Sequence, residues 1–165
     1  LNDWHQHRIS QLIVKKLFGT VSNKKISILG FSFKANTNDT RESSSITICK
    51  DLIEEGAFLN IHDPRVDPNQ ISIDLGRDCH NEEKDYKEQS FVNEGWTFHK
   101  DIYESAKNVD AVVVLTEWDE YKNIDWELIS KLMRKPAWVF DARSILNATK
   151  VSYSGLNFWR LGKGS

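Results

Sequence analysis

Between Lys25 and His62 the spacing of apolar residues changes period twice, and this constrains the fold more than any other feature of the chain. Ile26, Ile28 and Leu29 lie in a short run with the density of a strand. Ile46, Cys49, Leu52 and Ile53 then recur at helical spacing, and Phe58–His62 returns to strand character. Gly56 stands where the glycine after a helix would stand, and Asp63-Pro64 closes the second strand. The reading is a strand over Lys25–Leu29, a helix over Ser43–Glu55 and a strand over Phe58–His62. A strand–helix–strand unit implies a parallel sheet covered by helices.

The remaining segments extend that pattern. Asp3–Phe18 reads as a helix with Ile9, Leu12, Ile13 and Leu17 on one stripe, Asn2 or Asp3 as its N-cap and Gly19 as its stop. That stripe suits burial against this domain or a neighbouring subunit. Trp96–His99 predicts a short strand and Asp101–Lys107 a short helix. Ala111–Leu115 is the near-continuous apolar run of a strand buried on both faces. A helix over Trp126–Met133 ends before Pro136, Ala137–Phe140 is another buried strand, and Leu156–Leu161 supplies an edge strand. Asp74–Gly95 is polar, with Asn81–Glu88 at its centre, and reads as a surface excursion holding one short helix. The fold class expected is α/β, three layers with a mostly parallel sheet.

Composition removes several function classes. With 22 basic and 24 acidic residues the formal charge is −2, and no basic run marks a nucleic-acid face. The sequence has no apolar stretch of about 18 residues and no signal-peptide pattern, so neither a membrane nor a secreted protein is expected. Cys49 lies in a helical pattern and Cys79 in a polar segment, which suggests no disulfide framework and fits the cytoplasm. The chain opens at Leu1 and runs straight into helical sequence. That reads as a piece of a longer protein, although a processed or renumbered chain would look the same.

The functional signal is the run from Gly30 to Ser45. It carries the cations Lys34 and Arg41 and ends in hydroxyls at a helix entry, where free N–H groups and the helix dipole attract anions. A phosphate-bearing ligand is expected. Gly30 stands alone rather than in G-x-G-x-x-G, so side chains should meet the ligand as much as bare backbone does. Polar clusters also follow the later strands, Glu117 and Asp119 after one and Arg143 after another. In a parallel sheet they converge on one rim, outside the carboxyl ends of the strands. Plainer readings stand beside these. Lys34 and Arg41 could be solvated loop charges, and Arg143 could pair with Asp141 or Glu117. Asp63 suits a turn as well as a ribose, and Trp118 suits the core as well as a ligand cover. Cys79 and His80 beside Glu82 and Glu83 lack the partner pair that a metal site needs. His5 and His7, two apart, do not share a helix face.

Taken in order, Ile28-Leu-Gly-Phe-Ser-Phe-Lys34, Asn38-Asp-Thr-Arg-Glu-Ser-Ser44, His62-Asp-Pro64, Leu115-Thr-Glu-Trp118 and Phe140-Asp-Ala-Arg143 resemble the carboxyl-terminal domain of the nucleotide-sugar dehydrogenases. The Thr-Glu-Trp and Phe-Asp-Ala-Arg segments look more like the members that oxidise UDP-glucose than like those acting on GDP-mannose or amino sugars. The resemblance runs from Trp4 to about Lys163. It implies a Rossmann-like UDP-binding domain over residues 20–165, preceded over residues 1–19 by the end of an inter-domain connecting helix. Such enzymes oxidise UDP-glucose to UDP-glucuronate with two NAD⁺, through a thiohemiacetal on a catalytic cysteine, and bind NAD mainly in a separate amino-terminal domain. Neither Cys49 nor Cys79 matches that cysteine, so the resemblance gives this chain no catalytic residue and no metal ligand, and alone it should produce no NADH. Phe33, Lys34 and Arg143 match substrate-binding positions; Arg41 matches an arginine that reaches the NAD. Ala35-Asn-Thr37 departs from the family's usual residues there. The partners implied are UDP-glucose or UDP, the remainder of the polypeptide and a homo-oligomer assembled through the connecting helix. An assembly module, or the same lobe of an enzyme acting on another UDP-sugar, remains open beside this reading.

Overall fold

A computed structural model of the chain describes residues 3–79 and 94–161. Asn2 as an N-cap and the Asn81–Glu88 excursion lie outside them, as do His80, Glu82 and Glu83. Six strands, β1 (Lys25–Leu29), β2 (Phe58–His62), β3 (Trp96–Phe98), β4 (Ala111–Val114), β5 (Trp138–Asp141) and β6 (Asn157–Arg160), form one sheet in the order β3-β2-β1-β4-β5-β6. Every pairing is parallel. The order reverses between β1 and β4, where Ile26 sits opposite Leu59 on one side and Ala111 on the other. In such sheets that reversal opens a crevice at the carboxyl edge.

Two apolar layers enclose the sheet. On one face α1 (Asp3–Lys16), α2 (Ser44–Glu54) and α3 (Pro68–Leu75) pack with Ile28, Leu59, Ile61 and Trp96. The other face is covered by α4 (Ile102–Ser105), a 3₁₀ turn over Asp119–Asn123, α5 (Trp126–Leu132) and α6 (Ala148–Tyr153), around Val112, Val114, Tyr121 and Val139. Val113 is fully buried, as an all-apolar central strand requires. The stripe on α1 is buried against its own domain: Ile9, Ile13 and Leu17 join the cluster of Ile48, Cys49 and Leu52. Burial of such side chains stabilises by about 1.5–3 kcal/mol each, enough to hold α1 on α2.

Most of the expected elements stand within a residue or two. The strand expected at Ala137–Phe140 runs one residue later and takes in Asp141, whose carbonyl accepts from Leu161 N at 3.0 Å. Two helices were not expected. α3 carries an Asp67 N-cap, Pro68 in its first turn and a left-handed Gly76 at its end, all visible in the sequence. α6 is a single capped turn and a half behind Asn147, too short for periodicity to reveal. Cys49 is a buried free thiol, and burial pushes it up, away from reactivity. Among the described residues no group of metal-ligating side chains forms, and no helix is long and apolar enough to cross a membrane.

Candidate functional site at the carboxyl edge of the sheet

The loop after β1 leaves the sheet at the reversal point, and its first three residues are bound on every backbone group. Gly30 N donates to His62 O at 2.8 Å, and Gly30 O accepts from Ser45 Oγ at 3.2 Å. The N–H groups of Phe31 and Ser32 both donate to Asp63 Oδ2, at 2.8 and 3.0 Å. Their carbonyls accept from Ser43 Oγ and Thr116 Oγ1, each at 2.9 Å. Gly30 has φ +102°, and a Cβ there would lie 2.4 Å from Thr116 Cβ. Only glycine allows this turn and this approach of two loops. Of the three hydroxyls at the loop's end, Ser43 and Ser45 are thus spent on the chain itself.

Asp63 completes the arrangement. Its Oδ2 also accepts from Trp118 Nε1 at 3.3 Å, while its Oδ1 accepts from Arg65 N at 2.8 Å and Val66 N at 3.0 Å. It is 4% exposed. In a dinucleotide-binding sheet, the first turn gives its N–H groups to a pyrophosphate. Here a carboxylate of the protein takes that place, so Asp63 serves the turn and offers no free oxygen to a ribose. Trp118 is buried, with the Arg65 guanidinium 5.9 Å from its ring centre, and belongs to the core.

From Phe33 to Glu42 the loop is mostly exposed, with Thr40 buried. Phe33 is 44% exposed although its N–H donates to Asp39 O at 2.7 Å. The Lys34 ammonium is exposed and meets no acid among the described residues. Ala35 N donates to Glu117 Oε1 at 2.6 Å, and Glu117 Oε2 accepts from Arg143 Nη2. The Arg143 backbone is fixed by Asp141 Oδ1, which accepts its N–H at 3.0 Å. Burial pulls the Arg143 pKa down from its ordinary value, but an arginine stays charged at any ordinary pH. Beside Arg143 lies a cavity of about 270 Å³ walled by Ile9, Ser44, Leu115 and Ala142. The structure therefore ties the Arg143 guanidinium, through Glu117, to Ala35, the residue that follows Lys34.

Arg41 stands outside that cluster. Its Nη2 donates to Asp39 Oδ2 at 2.9 Å and its Nε to Asp39 Oδ1 at 3.1 Å, a two-point pair on an open loop. The hydrogen bonds from Arg41 hold the Asp39 carboxyl at about 2, below the ordinary carboxylate. Behind the rim, His62 Nδ1 lies 2.9 Å from the Tyr121 hydroxyl, and burial lowers the histidine and raises the phenol, keeping both neutral. The sequence showed Glu117 at a strand end and as one partner for Arg143, but not its second bond to Ala35 N. Only the strand order, which places β4 between β1 and β5, makes that reach visible.

A parallel doubly wound sheet with a charged rim at its reversal point is the class of fold whose ligands bind at that crevice, and here the inner turn is closed by the protein's own carboxylate. The chain belongs to the UDP-glucose/GDP-mannose dehydrogenase family, whose UDP binding domain matches residues 27–148. It is similar to the UDP-glucose 6-dehydrogenase of Drosophila melanogaster, with 42% identity over 163 residues covering 99% of this chain and 33% of that protein. With the Bos taurus protein of the same name the identity is 47% over 147 residues, covering 89% of this chain and 28% of the relative. The chain thus spans about a third of the length of these relatives. Among solved structures it resembles an NDP-N-acetyl-D-galactosaminuronic acid dehydrogenase from Methanosarcina mazei Go1, with TM-score 0.71 and 18% identity over 98% of this chain and 29% of that one. A UDP-glucose dehydrogenase from Pyrobaculum islandicum gives TM-score 0.64 and 20% identity over 93% and 29%. At such identities the likeness is one of fold.

Proposed function

We propose that this chain is the UDP-binding lobe of an NAD-dependent UDP-glucose 6-dehydrogenase, with residues 20–165 as the lobe and residues 1–19 as the end of a connecting helix. The observation that carries this reading is the Glu117 link at the reversal point between Arg143 and Ala35, just after Phe33 and a Lys34 that meets no acid among the described residues, in a chain matched to a UDP binding domain. Lys34 offers the diphosphate a point charge, Arg143 offers a second cation with planar N–H groups, and Phe33 offers a flat apolar face. Binding energy from this non-reacting half of the substrate orients the sugar for chemistry performed elsewhere in the enzyme. When bound, NAD accepts the hydride. The inner turn of this chain does not fit that dinucleotide, because the Phe31 and Ser32 N–H groups are occupied by Asp63. Arg41 instead reaches NAD held by another domain. The enzyme works in the cytoplasm as a homo-oligomer, and α1 supports assembly: Trp4 and Phe18, 64% and 76% exposed, flank its buried stripe.

The test is an NMR titration of the labelled chain with UDP beside GDP and UMP, a method that reports millimolar binding. Saturable shifts at Phe33, Lys34 and Arg143, weaker with GDP, are expected, together with no NADH production by the chain alone. No shift at high-millimolar UDP would overturn the lobe assignment. For assembly, sedimentation of a Trp4→Ser, Phe18→Ser variant should show a smaller species than the parent; equal masses would remove α1 from that role.

A further inference from the structure

Thr116, Glu117 and Trp118, just past Val114 at the end of β4, each fasten a different part of the rim. Thr116 Oγ1 donates to Ser32 O in the β1 loop, and Trp118 Nε1 donates to Asp63 after β2. Glu117, between them, takes Ala35 N–H from the β1 loop with one oxygen and the Arg143 guanidinium from the β5 loop with the other. This reach is a consequence of strand order, since β4 is the neighbour of both β1 and β5. Thr116 is fully buried and Trp118 nearly so, whereas the Glu117 side chain keeps 30% of its surface exposed. A carboxylate at this place has an evident cost, because it sets a negative charge beside the groups assigned to an anion. Its compensation is geometric. Arg143 and the Lys34–Ala35 backbone are otherwise carried on separate loops, and ordering long side chains at the moment of binding weakens affinity.

We propose that Glu117 is a positioning residue for the diphosphate: a single carboxylate locks Arg143 and the Lys34–Ala35 backbone in register before ligand arrives. The inference rests on the UDP-lobe reading above and deepens it. It predicts that removing a negative charge weakens the binding of a negatively charged ligand, the reverse of what simple charge counting gives. Glutamine keeps one acceptor oxygen, but its NH₂ cannot accept from the second donor, so Glu117→Gln should fall between parent and Glu117→Ala.

The experiment titrates the chain with UDP and, separately, with uridine, comparing the parent with Glu117→Gln and Glu117→Ala by NMR. Before ligand is added, Glu117→Ala should move the Ala35 amide and the Arg143 Nε signals. It should weaken UDP about tenfold, the scale expected for losing a hydrogen bond to a charged group, and leave uridine unchanged because the base meets neither cation. Unchanged or tighter UDP binding in Glu117→Ala overturns the inference while leaving the UDP lobe standing. Equal weakening of UDP and uridine, with a lower urea midpoint, also overturns it, since that marks a merely structural role. A parent chain that ignores UDP overturns the lobe reading and this inference together. If Glu117→Ala loses its amide dispersion, the same criteria are applied to Glu117→Gln.

Discussion

The two halves of the β1 loop have opposite designs. Gly30–Ser32 is buried or glycine, and its six backbone polar groups all find partners inside the protein. From Phe33 to Glu42 the loop is mostly exposed, holds two cations, and includes Asn36 and Glu42 at φ +66° and +62°. In dinucleotide-binding sheets the inner half is the part that grips phosphate. Here the grip has closed on Asp63. The difference teaches that the fold can keep its strand order and its crevice while its inner turn is taken by the protein's own carboxylate, which under the proposed function leaves recognition to side chains a few residues further out.

The comparison breaks most readily at Asp63. Asp63→Ala leaves five N–H donors without their buried acceptor. At about 1–3 kcal/mol for each unsatisfied group the loss rivals the whole stability of a domain, about 5–15 kcal/mol, so this variant should not fold. Asp63→Asn, which retains shape and one acceptor oxygen, should unfold at a clearly lower urea concentration. A loss under about 1 kcal/mol for the alanine variant would show that the inner half is not held as described. Gly30→Ala comes next. It adds a Cβ against Thr116, including its backbone N at 2.7 Å, on a residue of φ +102°, and should cost about 3 kcal/mol in urea unfolding. Lys34→Ala, by contrast, should leave the midpoint where it is.

How much of this was legible beforehand follows from which forces are local. The β1–α2–β2 unit could be read because apolar period, Gly56 and Asp63-Pro64 agree with one another along the chain. α3 went unread although Asp67-Pro68 and Gly76 marked its ends, which shows that caps can outrank a weak period. The rim residues Lys34, Arg41, Glu117 and Arg143 could be picked out as charges at strand ends. Glu117 could be named as one partner for Arg143, 26 positions on, but its bond to Ala35, 82 positions back, could not. Asp63 was the hardest: a turn-forming aspartate and one that also anchors two N–H groups more than thirty residues upstream are identical as text.

A smaller effect sharpens the comparison on the inner side. Burial lowers the pKa of His62 from its ordinary 6.5, against the opposing pull of Asp63, and burial lowers His99 as well. The unfolded chain then takes up protons that the folded chain does not. Stability is complete above the unfolded value near 6.5 and declines as pH falls through it toward the folded values, below which no more is lost. Urea midpoints measured from pH 8 down to 5.5 should fall, and His62→Gln should flatten the slope. A parent profile that is level over this range would mean that His62 is not sealed behind the rim with Tyr121.

The smallest effect on stability belongs to the outer half, and it asks whether that half is ordered at all. Arg41 and Asp39 are exposed, so their pairing contributes little to folding, and Asp39→Asn should leave the urea midpoint unchanged. Their pairing should still be visible in titration. With the Arg41 hydrogen bonds in place, the Asp39 carboxyl titrates at about 2 rather than the ordinary 3.8; in Arg41→Gln it should return toward 3.8. Asp39 is also the residue whose carbonyl accepts the Phe33 N–H, so the pair ties the two ends of the exposed loop. A parent Asp39 that titrates at the ordinary value, measured by carboxyl NMR, would show the pair open in solution. The outer half would then take its shape only when a ligand arrives, and its contrast with the welded inner half would be deeper than the static structure conveys.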